Sequence, residues 1–137
     1  MNVSHQRPLD DPARGSFHGT ALCYRTEIAN TNTQPIRIIW FQFFRQVDGV
    51  WYGHNMKNRV LQADDFATWY AEGDSLENGW LLPGKVAACD PNWHGGELDP
   101  FSQVKWAFMA MDATGQVYFD EAEVMPENVQ RFTKEPH

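Results

Sequence analysis

The segment from Gly19 to Tyr52, in which apolar and polar residues alternate from Leu22 to Ile28, constrains the fold more than any other part of the chain. It reads GTALCYRTEIANTNTQPIRIIWFQFFRQVDGVWY. A period of two residues is typical of a β-strand with one buried face. The Asn/Thr-rich stretch at 30–34 predicts a turn, and Asp48-Gly49 predicts a tight hairpin. The run therefore predicts three consecutive antiparallel strands: one ending at Ala29, a second over 36–46 and a third beginning at Val50.

Later segments extend this pattern. We expect a strand over 80–89 interrupted at Pro83-Gly84, a loop over 90–100, and strands over 103–111 and 116–124. In the strand over 103–111 the even positions, from Val104 to Ala110, form one apolar face. Residues 61–72 fit either a short helix begun by Asp64-Asp65 or an irregular strand. About seven strands with a turn every 8–12 residues predict a single all-β antiparallel sandwich with at most one short helix.

Length and charge exclude several classes of protein. The 137 residues fit one domain, and no stretch is apolar enough to span a membrane. A net charge of −7 argues against nucleic acid and anionic membrane surfaces as partners. With no apolar region near its N-terminus and two cysteines that we expect to stay reduced, the chain is predicted to be cytoplasmic. It would be secreted or periplasmic if a signal peptide has been removed.

Composition divides the chain into three parts. Residues 1–16 contain two prolines and several charges and show no periodicity, so we expect an extended or disordered arm. Residues 17–125 are predicted to form the β-sandwich domain. In the C-terminal tail, 126–137, Pro126 is expected to begin one helical turn.

Short turn motifs add a family resemblance. The segments TEIAN at 26–30, QPIRI at 34–38 and VDG at 47–49, with LPGK at 82–85, resemble those of bacterial immunoglobulin-like and fibronectin III-like domains. The resemblance covers residues 19–52 and 80–89. It implies an immunoglobulin-like sandwich, and it implies no activity, because such domains serve many interaction roles.

The aromatic strand 36–44 is apolar on both faces. Strict alternation places Ile36, Ile38, Trp40 and Phe44 on one face, and Ile39, Phe41 and Phe43 on the other. Since a sandwich buries only one face, either other segments cover the second face or it binds a partner. The leading interpretation is a non-enzymatic protein-interaction domain that self-associates as a homodimer, or binds another protein, through Ile39, Phe41 and Phe43.

Aromatic residues in or near loops allow an alternative function. Such rings could stack on sugars, which would make the chain a carbohydrate-binding module with a glycan partner. The candidates are Trp51, Tyr52, Trp69, Tyr70, Trp80 and Trp93. The competing interpretation is that these rings seal the ends of the sandwich and pack beneath loops. Trp51 and Tyr52 are adjacent on a strand and point to opposite faces, so we expect one of them to be exposed.

Signals for metal binding and catalysis are weaker. Asp90, Asn92, Glu97 and Asp99 place oxygen ligands at close spacing, as a Ca²⁺ loop would, although the flanking helices of an EF-hand are missing. Loops of this composition commonly make only local turns. The five histidines lack zinc spacing, and no nucleophile or phosphate-binding motif is present. We therefore predict no enzyme activity, no cofactor and no metal, with that loop as the one weak candidate.

Overall fold

A computed structural model of the protein describes residues 1–9, 20–54, 60–71, 75–95 and 103–133. Two antiparallel β-sheets face each other, and one short helix packs against the inner face of the larger sheet. The all-β sandwich predicted from the strand pattern is thus confirmed. Short additional strands bring the described number to eleven. No helix in the described ranges has the length and apolarity that crossing a membrane requires.

The smaller sheet is built around β2 (Thr20–Ala29). Along one edge of β2 runs β8 (Val86–Gly95), and along the other lie β1 (Asn2–Gln6) and β11 (Gln130–Thr133). Three of these strands differ from the expectation. Part of the expected arm forms β1, part of the expected tail forms β11 after a single 3-10 turn at Pro126–Asn128, and β8 extends through residues 90–95, which were predicted as loop.

The larger sheet is built around β3 (Ile36–Val47). On one side β3 pairs with β9 (Val104–Asp112), which pairs in turn with β10 (Val117–Glu123). On the other side β3 pairs in succession with β4 (Val50–His54), β5 (Leu61–Gln62) and β7 (Trp80–Leu81), and β6 (Leu76–Glu77) lies beyond β7. The tight Asp48-Gly49 turn joins β3 to β4, with positive φ at both residues.

Residues 63–69 form the helix α1 (Ala63–Trp69), which decides between the two structures predicted for this segment. Asp65 accepts a hydrogen bond from the backbone N–H of Gln62 at 2.9 Å and so satisfies a donor at the start of the helix. Phe66 is buried, and the rings of Phe66 and Trp69 pack edge-on against Phe41 of β3. The helix therefore covers the inner face of the larger sheet.

A β-bulge in β3 corrects the predicted division of its faces. The register with β9 shifts between Ile38 and Trp40, so Ile39 is an extra residue in β3. Beyond the bulge every side chain changes face, because the alternation of a strand has a period of two. The inner face consequently carries Ile36, Ile38, Phe41 and Phe43, and the outer face carries Trp40 and Phe44.

The core lies between the two sheets and is rich in aromatic rings. Phe41 stacks on Phe108 with the ring centroids 5.5 Å apart and nearly parallel, and Trp106 lies beside both rings. The apolar face predicted for β9 is confirmed, because Val104, Trp106, Phe108 and Ala110 are all buried. Cys23 and Cys89 are not joined by a disulfide in this structure.

Candidate functional site

The outer face of the larger sheet carries apolar side chains in successive rows across its strands. In the central row Gln62, Trp40, Met109 and Phe119 lie side by side on β5, β3, β9 and β10. In the next row Arg37 neighbours Met111, which neighbours Val117. On the other side of the centre come rows containing Gln42 with Ala107 and Phe44 with Lys105. We call the surface from the Arg37 row to the Lys105 row the outer patch.

Lys105 organises one end of the outer patch. Its ammonium lies 4.3 Å from the ring centroid of Trp51 and 5.7 Å from that of Phe44, within the range of a cation–π interaction. The same ammonium forms an ion pair with Glu121 on β10, with the two atoms 3.1 Å apart. Four strands are thereby linked across the surface, and Trp51 is held in a fixed position at the patch border.

Exposure distinguishes the outer patch from the inner face. Phe119 and Val117 are 54% and 45% exposed, while Trp40, Phe44, Met109 and Met111 are partly buried. The rings of Trp40 and Phe44 lie 6.4 Å apart and tilted, so they shield each other only partly. Large apolar side chains thus form a contiguous surface that reaches solvent, and contiguous surfaces of this kind are typical of interaction sites.

The residues predicted from the sequence to bind a partner lie in different parts of the structure. Phe41 and Phe43 belong to the core and contribute no surface, because the bulge turns them inward, and the bulge residue Ile39 is partly buried. Trp51 borders the outer patch, and Tyr52, which is 55% exposed, points to the opposite side of β4. Trp93 is 41% exposed on β8, in the smaller sheet. The predicted rings therefore do not form one site.

The sequence prediction missed most of the outer patch. Trp40 and Phe44 were expected on the inner face, and Met109, Met111, Val117 and Phe119 were not considered. A signal existed for the last four, since they occupy the odd positions of β9 and β10, opposite the core side chains of β9. Trp40 and Phe44 could not be assigned without the bulge, which leaves no local mark in the sequence.

A buried polar network connects the two sheets and is the other chemically rich cluster. His5 Nε2 donates to the carbonyl oxygen of Ala122 at 2.9 Å, so its Nδ1 accepts from the Thr26 hydroxyl at 2.9 Å. Tyr24 accepts a hydrogen bond from the Trp106 indole at 2.7 Å, and its hydroxyl lies 3.2 Å from His94 Nδ1.

Burial controls the ionisation of both histidines in this network. Removal from water lowers the pKa of His5 and of His94 to about 4, because burial disfavours the charged imidazolium. For His5 the hydrogen bond to Ala122 opposes this effect only in part. Both rings are therefore neutral near pH 7. The His5–Ala122 and Trp106–Tyr24 hydrogen bonds run between the two sheets and hold them together, and the His94–Tyr24 contact joins two strands of the smaller sheet.

The predicted metal loop is only partly within the described residues. Asp90 forms an ion pair with Arg25 at 3.1 Å and accepts a hydrogen bond from the backbone N–H of Leu9. Asn92 donates to the Thr26 hydroxyl at 3.0 Å. Both side chains thus make structural contacts. Glu97 and Asp99 lie outside the described residues, and within the described ranges no three His, Cys, Asp or Glu side chains cluster as metal ligands would.

A cleft of about 420 Å³ lies at the end of the larger sheet, next to Arg37 and so adjacent to the outer patch. Its walls come from Pro35 before β3, from the β6–β7 hairpin and from Ala113 in the turn between β9 and β10. Asn30 fixes this region, because its side-chain amide donates to the carbonyl oxygens of Gln34 and Leu81, each at 2.9 Å. The cleft is thus bounded by turns at the end of the larger sheet, and the hydrogen bonds of Asn30 hold part of this region in place.

Comparison with protein-family models, with curated proteins and with solved structures finds no match to this chain. The resemblance to immunoglobulin-like and fibronectin III-like domains therefore stays a prediction from turn motifs.

Proposed function

We propose that the protein is a non-enzymatic interaction domain that self-associates through the outer patch. The observation that carries this proposal is the exposure of Phe119 and Val117 beside Trp40, Met109 and Met111 on a regular sheet face. A fully exposed large apolar side chain forgoes roughly 1.5–3 kcal/mol of burial, and Phe119 and Val117, which are about half exposed, forgo about half of that. A second copy with the same flat apolar face would recover part of that free energy on both sides of the contact.

The size of the outer patch sets the expected affinity. Four strands about 4.8 Å apart and about seven residues along them give a face of roughly 400 Å² in plan. Stable interfaces bury about 800 Å² on each partner, so the patch is smaller than a standard interface even after allowance for its corrugation. We therefore expect a reversible dimer with a dissociation constant in the micromolar range.

Charge favours a second copy as the occupant. The chain as a whole carries a net charge of −7, so two copies repel each other through most of their surfaces. On the outer patch and its border, Arg37 and Lys105 balance Glu121 and Glu123. Copies can therefore approach through this face without the like-charge penalty, and two sheets packed face to face are a common arrangement.

Sedimentation equilibrium between about 1 and 300 μM tests the proposal. The wild-type chain should show a reversible monomer–dimer equilibrium, and Phe119→Gln should weaken it at least fivefold. Tyr52→Gln is the matched control, because Tyr52 is equally exposed (55% against 54%) but points away from the outer patch. A wild-type chain that stays monomeric throughout, or equal weakening by both variants, would contradict self-association through this face.

A further inference from the structure

The cleft at the end of the larger sheet has a size and lining that suit a small ligand. Its volume of about 420 Å³ falls within the range of roughly 300–1,000 Å³ typical of ligand sites. Trp80, Pro35 and Leu82 supply apolar wall, and Glu77 and Asn78 supply polar groups on one side. It differs in shape from the flat outer patch, so a different kind of partner fits it.

The hairpin that holds these groups has a defined geometry. Glu77 lies directly opposite Trp80 in the β6–β7 pairing, which places their side chains next to each other on one face. Asn78 and Gly79 form the two-residue turn with φ values of 52° and 84°, the signature of a type I′ hairpin. An indole, a carboxylate and an amide are therefore presented together on a short, regular element instead of a long loop.

The chemistry of the lining selects among ligand classes. A flat indole bounded by a carboxylate acceptor and an amide donor matches a ring that has an apolar C–H face and hydroxyl groups at its edge. A cationic ligand fits less well, because antiparallel pairing of Ile36 with Leu81 brings Arg37 next to Trp80. A carboxylate or phosphate ligand would meet Glu77. A neutral, hydroxyl-rich ring avoids both conflicts.

We propose that this cleft binds a neutral pyranose sugar, with the sugar ring against Trp80 and its hydroxyl groups hydrogen-bonded to Glu77 and Asn78. Contact is shallow and involves one aromatic ring, so a single sugar binds with millimolar affinity. The same chemistry serves a free monosaccharide and the end of a glycan chain. The two sources differ in whether further sugar units add affinity.

NMR titration of the six tryptophan indole N–H signals tests the proposal on the whole chain. The probes are methyl glycosides of glucose, galactose, mannose and N-acetylglucosamine, each taken to 50 mM. In the same spectra, at least one probe should saturably shift the Trp80 indole signal and the backbone amide signals of Glu77 and Asn78, and Trp80→Ala should abolish the shifts of those two amides. Glu77→Gln, at an exposed residue, should weaken binding severalfold while leaving the fold intact, which a thermal melt checks.

Trp93→Ala is the matched control, since Trp93 is an exposed ring on the smaller sheet and binding should survive its removal. A tetrasaccharide of the preferred unit should bind at least tenfold more tightly if the natural ligand is a glycan, and equally if it is a free sugar. No saturable shift with any probe, or a shift that persists in Trp80→Ala, would overturn the proposal. A negative result for sugar binding leaves the dimer proposal standing, because the monomer–dimer equilibrium is measured separately, by sedimentation in the absence of sugar.

Discussion

The two faces of β3 carry similar aromatic side chains, but those on the inner face are buried and those on the outer face are partly exposed. Phe41 on the inner face is fully buried among the rings of α1 and β9, whereas Phe44 on the outer face lies partly exposed beside Lys105. One additional residue, Ile39, decides which phenylalanine goes where. Aromatic content alone therefore does not tell a core strand from an interface strand, because a single strand can contribute aromatic side chains to the core on one face and to the surface on the other.

The largest predicted effect is that acid lowers the stability of the core, through the buried residues His5 and His94. His5 and His94 have pKa values of about 4 in the folded chain, against 6.5 for an ordinary histidine. Between these values the unfolded chain binds protons that the folded chain does not, so the free energy of unfolding falls as pH decreases from about 6.5 to 4. The loss is on the order of 3 kcal/mol for each histidine.

Urea unfolding at a series of pH values measures this loss. The variant His94→Gln should show a shallower decline over the same window, since one of the two titrating groups is gone. An unfolding free energy that stays level from pH 7 to 4.5 in the wild-type chain would mean that the histidines are not buried as described.

Truncation on the two faces of β3 gives the next largest contrast. We expect Phe41→Ala to lower the free energy of unfolding by about 3–5 kcal/mol, because it leaves a cavity in a packed aromatic cluster. Phe44→Ala should cost less than about 1.5 kcal/mol, because its ring is already partly exposed. Phe41→Leu keeps most of the volume and should be intermediate, so the contrast remains measurable if the alanine variant does not fold. Similar losses in the free energy of unfolding for Phe41→Leu and Phe44→Leu would contradict the assignment of Phe41 to the core and Phe44 to the surface.

A single hydroxyl, that of Tyr24, tests the polar network in the core between the two sheets. Tyr24→Phe removes the acceptor of the Trp106 indole N–H and leaves that donor buried without a partner. An unsatisfied buried donor costs about 1–3 kcal/mol, which denaturant unfolding resolves. The matched change Tyr52→Phe, on an exposed ring, should alter stability by less than about 0.5 kcal/mol. Equal effects of the two substitutions would argue against the buried network.

The smallest effect is expected on the outer patch. Glu121→Gln removes the ion pair with Lys105, in which Glu121 is 43% exposed, and should change the free energy of unfolding by less than about 1 kcal/mol. Its effect should disappear in 0.5 M salt because exposed ion pairs are screened. A larger, salt-independent loss would show that this end of the outer patch is more buried than its exposure indicates.

Local chemistry explains what the sequence predicted well. Turns such as Asp48-Gly49 and the Asn/Thr stretch at 30–34 are specified by the residues that form them, and the inward positions of β9 follow from strict alternation. The strands around these turns were therefore predictable. Long-range pairing was not, which is why β1 and β11, both recruited to the edge of β2, were expected to be an arm and a tail.

The candidate site was less predictable than the fold. A bulge depends on how β3 fits against β9, so it changes the faces of Trp40 and Phe44 without a local signature in the sequence. The idea of an exposed aromatic face on β3 came from the sequence, but the side chains assigned to it did not. The cleft beside Trp80 depends on turns that are distant in the chain, and no single motif indicates it.

Thiol labelling at two neighbouring positions tests the central claim most directly. The variants Phe43→Cys and Phe44→Cys, each in a chain that also carries Cys89→Ser, place a thiol on opposite faces of β3. At 1 μM protein the thiol at position 44 should react rapidly and the one at 43 at least a hundredfold more slowly. At 300 μM the reaction at 44 should slow as dimers cover it. Rapid reaction at 43 with protection at 44 would contradict the account, as would a rate at 44 that does not depend on concentration.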